Sequence, residues 1–103
     1  MRRLVYRPAA IEDLDGIYDL IAADDPQRAR AFIDGIRERC RKLCVHPELG
    51  PARADLRPGI RIFPIRRRVV VAYRIEADAI VVVRITYGGR DYEALIQDDG
   101  DRP

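Results

Sequence analysis

The sequence predicts a two-layer α+β domain in the order β-α-α-β-β-β, with a short closing helix, and three observations carry that prediction. Two amphipathic stretches at helical spacing fill the first half and are joined by only two or three residues. Runs rich in valine and isoleucine, separated by turn residues, fill the second half, and a short strand pattern precedes everything. Helices so closely joined form an antiparallel hairpin, and its apolar stripe is buried most simply on one face of a largely antiparallel sheet. At 103 residues with 48% apolar side chains, the chain suffices for one such core and leaves no room for a second domain. Residues 1–97 are therefore expected to form a single domain, followed by a frayed acidic tail over 98–103.

Taken in order, Leu4-Val5-Tyr6 forms the first strand. Pro8 suits the first turn of a helix, where its missing N–H does no harm. Ile11, Leu14, Ile17, Tyr18 and Ile21 then recur as one apolar stripe, with Glu12 and Asp13 expected in the first turn and the end near Ala23. Asp25-Pro26 reads as the N-cap and first residue of a second helix. Along it Ala29, Phe32, Ile33, Ile36, Cys40 and Leu43 face the core, while Arg30, Asp34, Arg37, Glu38 and Arg41 face solvent. His46-Pro47 ends this helix, because a residue before proline is pushed out of the α region.

An irregular connector follows, framed by Glu48-Leu49-Gly50-Pro51 and Arg57-Pro58-Gly59. The next strand spans residues 60–65, where Pro64 argues for an edge position or a bulge. Arg66 and Arg67 supply a hairpin turn, Val69 to Ile75 the next strand, Ala77-Asp78 another turn and Ile80 to Tyr87 the last strand. Nearly unbroken β-branched runs suit central strands or strands covered on both faces. Gly88-Gly89 breaks the last strand, and Asp91 to Gln97 is compatible with a final helix.

Charge is unevenly spread. Between Ala9 and Asp25 lie six acids and no base, whereas Arg53 to Arg74 holds seven arginines against Asp55 alone. Such asymmetry points to a basic surface that meets a partner, although a preference for arginine over lysine also follows from genome composition. Arg66-Arg67-Arg68 either contacts an acidic partner or forms a solvated turn. Arg61, Arg74 and Arg84 lie within apolar strands, where an unpaired guanidinium is costly to bury. Pairing with first-helix acids such as Asp13 is expected for Arg74 and Arg84, and partner contact for Arg61.

Cys40 and Cys44, one helical turn apart, read as small buried hydrophobes, and no cofactor or metal is expected. Gly88-Gly89 lacks the Gly-Lys-Ser/Thr of a phosphate-binding loop. No stretch reaches the ~20 apolar residues of a membrane span. Leu4-Val5-Tyr6, cut off by Arg7-Pro8, is too short for a signal-peptide core, so the expected compartment is the cytoplasm.

Several segments resemble the ParE/RelE toxin superfamily. Ala10 to Tyr18 is similar to its opening A-x-x-D-L pattern, with Asp13 and Leu14 at the D-L positions. Leu43 to Gly50 resembles L-x-x-x-P-x-x-G, Tyr73-Arg74-Ile75 resembles Y-R-V/I, and Arg84 to Asp91 resembles the R-V-x-H/Y-G-x-R-D ending of ParE-like members. The resemblance implies a toxin encoded beside an antitoxin, acting on DNA gyrase in the ParE-like branch or on ribosome-bound mRNA in the RelE-like branch.

Ribonuclease chemistry requires a proton acceptor, a proton donor and cations around the phosphorane. Arg61 and Arg90 fall on two RelE-like catalytic positions, but Val70 and Ile96 stand where that branch places an arginine and a tyrosine. Arginine is also a poor general base. The expected function is therefore inhibition by binding, with no catalytic set. The expected partner-binding residues are Arg57, Arg61, Arg66, Arg67, Arg68 and Arg90, and the expected antitoxin segment is acidic or amphipathic. A ribosome-dependent ribonuclease using Arg61 and Arg90 is the alternative, and a scaffold without toxicity a third reading.

Overall fold

The computed structural model describes residues 1–89 and 91–98. Strand β1 (Arg3–Tyr6) leads into helix α1 (Pro8–Ala22) and helix α2 (Pro26–Val45). Strands β2 (Arg61–Ile65), β3 (Val69–Ile75) and β4 (Ala79–Tyr87) follow, then helix α3 (Tyr92–Asp98). The predicted element order and layering hold. Residue 90 and residues 99–103, the greater part of the expected tail, lie outside the described residues.

The local signals act as anticipated. Asp25 is extended and its carboxylate accepts the Arg28 N–H at 3.1 Å, while Pro26 opens α2. His46 caps the other end, where its N–H still reaches the Lys42 carbonyl. Gly88 and Gly89 end β4 at φ of 79° and 76°, a region open to glycine and strained for other residues. Two expectations for α1 are corrected. Its first turn carries no acid, because the helix begins at Pro8 and Glu12 falls in the second turn. Ile11 and Tyr18 are 45% and 36% exposed, so the buried stripe is Ala10, Leu14, Ile17 and Ile21, and those two side chains flank it.

The sheet order is β1-β4-β3-β2. The β2–β3 and β3–β4 pairs are antiparallel, but β1 runs parallel to β4, Leu4 opposite Ile80 and Tyr6 opposite Val82. The valine-rich β3 and β4 are thus the central strands, and Pro64 sits exposed on the edge strand β2. A register shift between Ala72 and Tyr73 marks a bulge that reverses side-chain parity along β4. Ile80 and Val82 face the helices before it, and Ile85 and Tyr87 do so after it.

Both faces of the sheet are covered. Leu14, Ile36, Leu43, Tyr73 and Val82 belong to the main core beneath α1 and α2. On the opposite face Ile62, Ala72 and Val83 pack with Leu56 and Ile60 of the connector and with Ile96 of α3. The expected two layers therefore carry a partial third.

At the seam between β1 and α2 the Cys40 thiol is fully buried beside Tyr6, whose hydroxyl lacks a hydrogen bond of regular geometry. Burial is the main cause that pushes the Cys40 thiol from its ordinary 9.0 up to about 11. Burial, then the thiol, raises the Tyr6 phenol as well. The unfolded chain releases the Cys40 proton first, so this stabilisation is complete below pH 9 and is lost as pH climbs toward 11. Urea midpoints are expected to fall across that window, and Cys40→Ala to flatten the fall; equal slopes in both proteins would exclude the thiol as the cause.

Candidate partner-binding groove

Three polar clusters build the frame around the functional surface. Asp13 of α1 accepts Arg84 Nε at 2.8 Å, Arg84 Nη2 at 3.0 Å and the Ile85 N–H at 2.8 Å. β4 runs on past the end of β1, and there the carboxylate takes the place of a strand partner. This is the pairing expected for Arg84. Arg74 instead reaches Glu76 of its own hairpin at 2.7 Å, a correction to any pairing with α1.

The second cluster holds the connector. The Tyr73 hydroxyl donates to the Pro47 carbonyl and accepts the Gly50 N–H at 2.9 Å, while Arg61 Nε donates to the Gly50 carbonyl at 2.7 Å. Arg61 is thus half-buried with one donor committed to the chain itself. The third cluster centres on Arg53, which meets Asp55 at 2.9 Å, Glu93 at 2.7 Å and the Tyr92 hydroxyl at 3.4 Å. It ties α3 to the connector. These hydrogen bonds, that to Asp55 foremost, raise the Arg53 pKa, and the same contact holds Asp55 below its usual range.

Between α2 and the β2–β3 turn lies an open groove of about 750 Å³. Phe32 and Ile36 of α2, Ile65 of β2, Val69 of β3 and Tyr87 of β4 give it an apolar floor. Phe32 meets Tyr87 edge to face, with ring centroids 5.5 Å apart. Arg28, Arg39 and Lys42 rim the α2 side and Arg66, Arg67 and Arg68 the turn side. None of these six cations makes a side-chain ion pair among the described residues. Glu38 is the one acid in the lining, and it pairs outward with Arg41 at 2.8 Å.

Local sequence explains this shape. Ala31 and Gly35 leave space on the flank of α2, where a Cβ added at Gly35 would meet nothing within 4 Å. Arg66 holds φ at 55°, a conformation uncommon outside glycine and asparagine, and so presents three consecutive arginines at the groove mouth. The lining contains no histidine, cysteine, serine or threonine. Apolar floor and guanidinium rim together suit a ligand with apolar side chains on one face and carboxylates or phosphates at its margins.

Of the residues expected to meet a partner, Arg66, Arg67 and Arg68 come together here. Arg57, half-buried in the connector, and Arg61, on the Gly50 loop, stand outside the groove, and Arg90 lies outside the described residues. The α2 cations escaped the sequence reading because the solvent side of a helix and the wall of a groove look alike in one dimension. Their signal was the spacing Arg28, Gly35, Lys42, a row seven residues apart with a small residue at its centre.

Known proteins are similar to this chain in sequence and in fold. A family model described as ParE toxin of type II toxin-antitoxin system, parDE, matches residues 4–92. Toxin ParE3 of Caulobacter vibrioides is 32% identical over 97 residues, which cover 93% of this chain and 96% of that protein. A solved structure of the chromosomal ParDE TA system from P. aeruginosa is similar with a TM-score of 0.73 and 27% identity, over 84% of this chain and 96% of that one. With a family match along nearly its whole described length, the chain belongs to the ParE toxin family of type II toxin-antitoxin systems.

Proposed function

We propose that this toxin acts in the cytoplasm by binding DNA gyrase, and that a cognate antitoxin silences it by folding an acidic amphipathic segment into the groove between α2 and the β2–β3 turn. The observation that carries the reading is the set of six cations that make no side-chain ion pair among the described residues, arranged around an apolar floor. Cations unpaired among the described residues are available to the carboxylates of another chain, and the floor accepts the apolar face of a helix laid between the two rims. The P. aeruginosa relative was solved as a ParDE system, which supports an antitoxin partner here.

Gly35→Leu adds a side chain at a residue that lines the groove, where a Cβ meets nothing within 4 Å. It is expected to weaken antitoxin binding by roughly 100-fold, as loss of a central anchor does, and Arg67→Glu with Arg68→Glu to act similarly. Binding of the native chain should weaken with added salt. Titration calorimetry checks each; antitoxin affinity unchanged in Gly35→Leu places the segment elsewhere. For the target, purified toxin is expected to suppress supercoiling by gyrase. Unaltered supercoiling with no trapped cleaved complex refutes gyrase, and new 3′ ends on translating ribosomes would instead establish the ribonuclease reading.

A further inference from the structure

Helix α1 turns a second chemical face to solvent. With Ala10, Leu14, Ile17 and Ile21 buried on one side, Ile11 and Tyr18 run along the flank, seven residues apart on one line of the helix. Next to that line come Asp15, then Glu12 and Asp19, all exposed. These three acids make no side-chain ion pair among the described residues, and no base occurs between Ala9 and Asp25 to offset them. A half-exposed apolar line edged by carboxylates is the complement of the groove, whose apolar floor is edged by cations. The lengths agree as well. At the rise of an α-helix, α1 is about 22 Å long and the groove wall from Arg28 to Lys42 about 21 Å. No α1 residue lines the groove, so a chain does not fill its own.

We propose that a second copy of this chain is a ligand of the groove: the outer face of α1 in one copy docks between the cationic rims of the next. Ile11 and Tyr18 meet the apolar floor, and Glu12, Asp15 and Asp19 meet the guanidinium groups. Opposite charge along both margins sets the orientation and draws the copies together. The contact is head to tail. Each joined pair leaves one α1 face and one groove open, so association adds copies as the chain becomes more concentrated. Self-association therefore covers the same surface that an antitoxin segment needs, and the two compete. The proposal rests on the groove taking an acidic amphipathic helix, and it adds that α1 itself is such a helix.

Sedimentation velocity of the whole chain, purified without antitoxin and studied from micromolar to millimolar, reads the association. The sedimentation coefficient is expected to climb with concentration and to fall back on added salt, which screens exposed charge. Asp15→Arg with Asp19→Arg breaks the α1 half of the contact, and Arg67→Glu with Arg68→Glu breaks the groove half. Each double variant is expected to weaken self-association by about tenfold or more, as like charges brought face to face do. All four positions are exposed, so circular dichroism should match the native chain. Mixed together, the two variants hold one native α1 face and one native groove between them. They are expected to associate as tightly as the native chain and to stop at a one-to-one pair. The proposal fails if the native chain stays monomeric, which would assign the α1 face to another partner. It also fails if either variant associates as the native chain does, or if the mixture stays apart. A monomeric native chain whose antitoxin affinity drops with Gly35→Leu overturns self-association alone. Self-association that needs the groove, with antitoxin affinity unchanged by Gly35→Leu, overturns the antitoxin reading alone.

Discussion

Gly50→Ala is expected to lower stability by about 3 kcal/mol, at the upper end for overpacking, and to lower the melting temperature by roughly 15 °C. A Cβ at that position would stand 2.7 Å from the Ile62 carbonyl oxygen and 2.8 Å from Tyr73 Cε1. One of those neighbours is strand backbone and the other is the ring of a fully buried tyrosine, so neither yields without moving β2 or β3. The same site explains a smaller loss. Tyr73→Phe removes the acceptor of the Gly50 N–H and a donor to the Pro47 carbonyl, and leaving those groups unpaired is expected to cost roughly 2 kcal/mol. Urea titration of both variants checks the pair. Equal midpoints for Gly50→Ala and the native chain would mean that the connector is not seated against Tyr73.

Asp13→Ala is expected to cost about 3–4 kcal/mol, because it takes the paired carboxylate from a guanidinium that is 12% exposed and from an N–H of a central strand. The pair itself contributes much less than this figure, since desolvating two charges offsets most of their attraction. A double variant in which Asp13→Leu accompanies Arg84→Met is therefore expected to recover most of the loss. A double-mutant cycle monitored by urea unfolding measures that recovery. If the double variant is no more stable than Asp13→Ala, the damage arises from the unpaired Ile85 N–H alone and not from the buried charge of Arg84.

How far the sequence carried these features depended on their range along the chain. Asp25-Pro26, His46-Pro47 and Gly88-Gly89 act within a few residues, and each boundary falls where it was expected. The Asp13–Arg84 pair was also legible, since a lone arginine in a valine run needs a carboxylate and α1 is rich in them. Features set by distant elements were not. Ile11 and Tyr18 continue the helical period, yet they stay 45% and 36% exposed at the flank of the buried stripe. The parallel β1–β4 pairing depends on where the helical hairpin returns the chain. In β4 the continuous valines hide which face each residue takes, and the bulge opposite Ala72 and Tyr73 then reverses the alternation. Half of the groove was visible as Arg66-Arg67-Arg68; the other half, on α2, needed the turn to be seen lying beside it.

That β1–β4 ladder joins Arg3 to Ala79, so the first strand of the sheet to leave the ribosome waits for the last strand before the sheet can close. Loop-closure entropy makes such a pairing a late event. A nascent chain halted before β4 keeps the apolar side of its helical hairpin without the central strand that covers it, a sticky and non-native species. Synthesis of this poison is thereby coupled to completion: an interrupted message yields material for chaperones and proteases, and only a chain translated through Tyr87 assembles the four-stranded sheet.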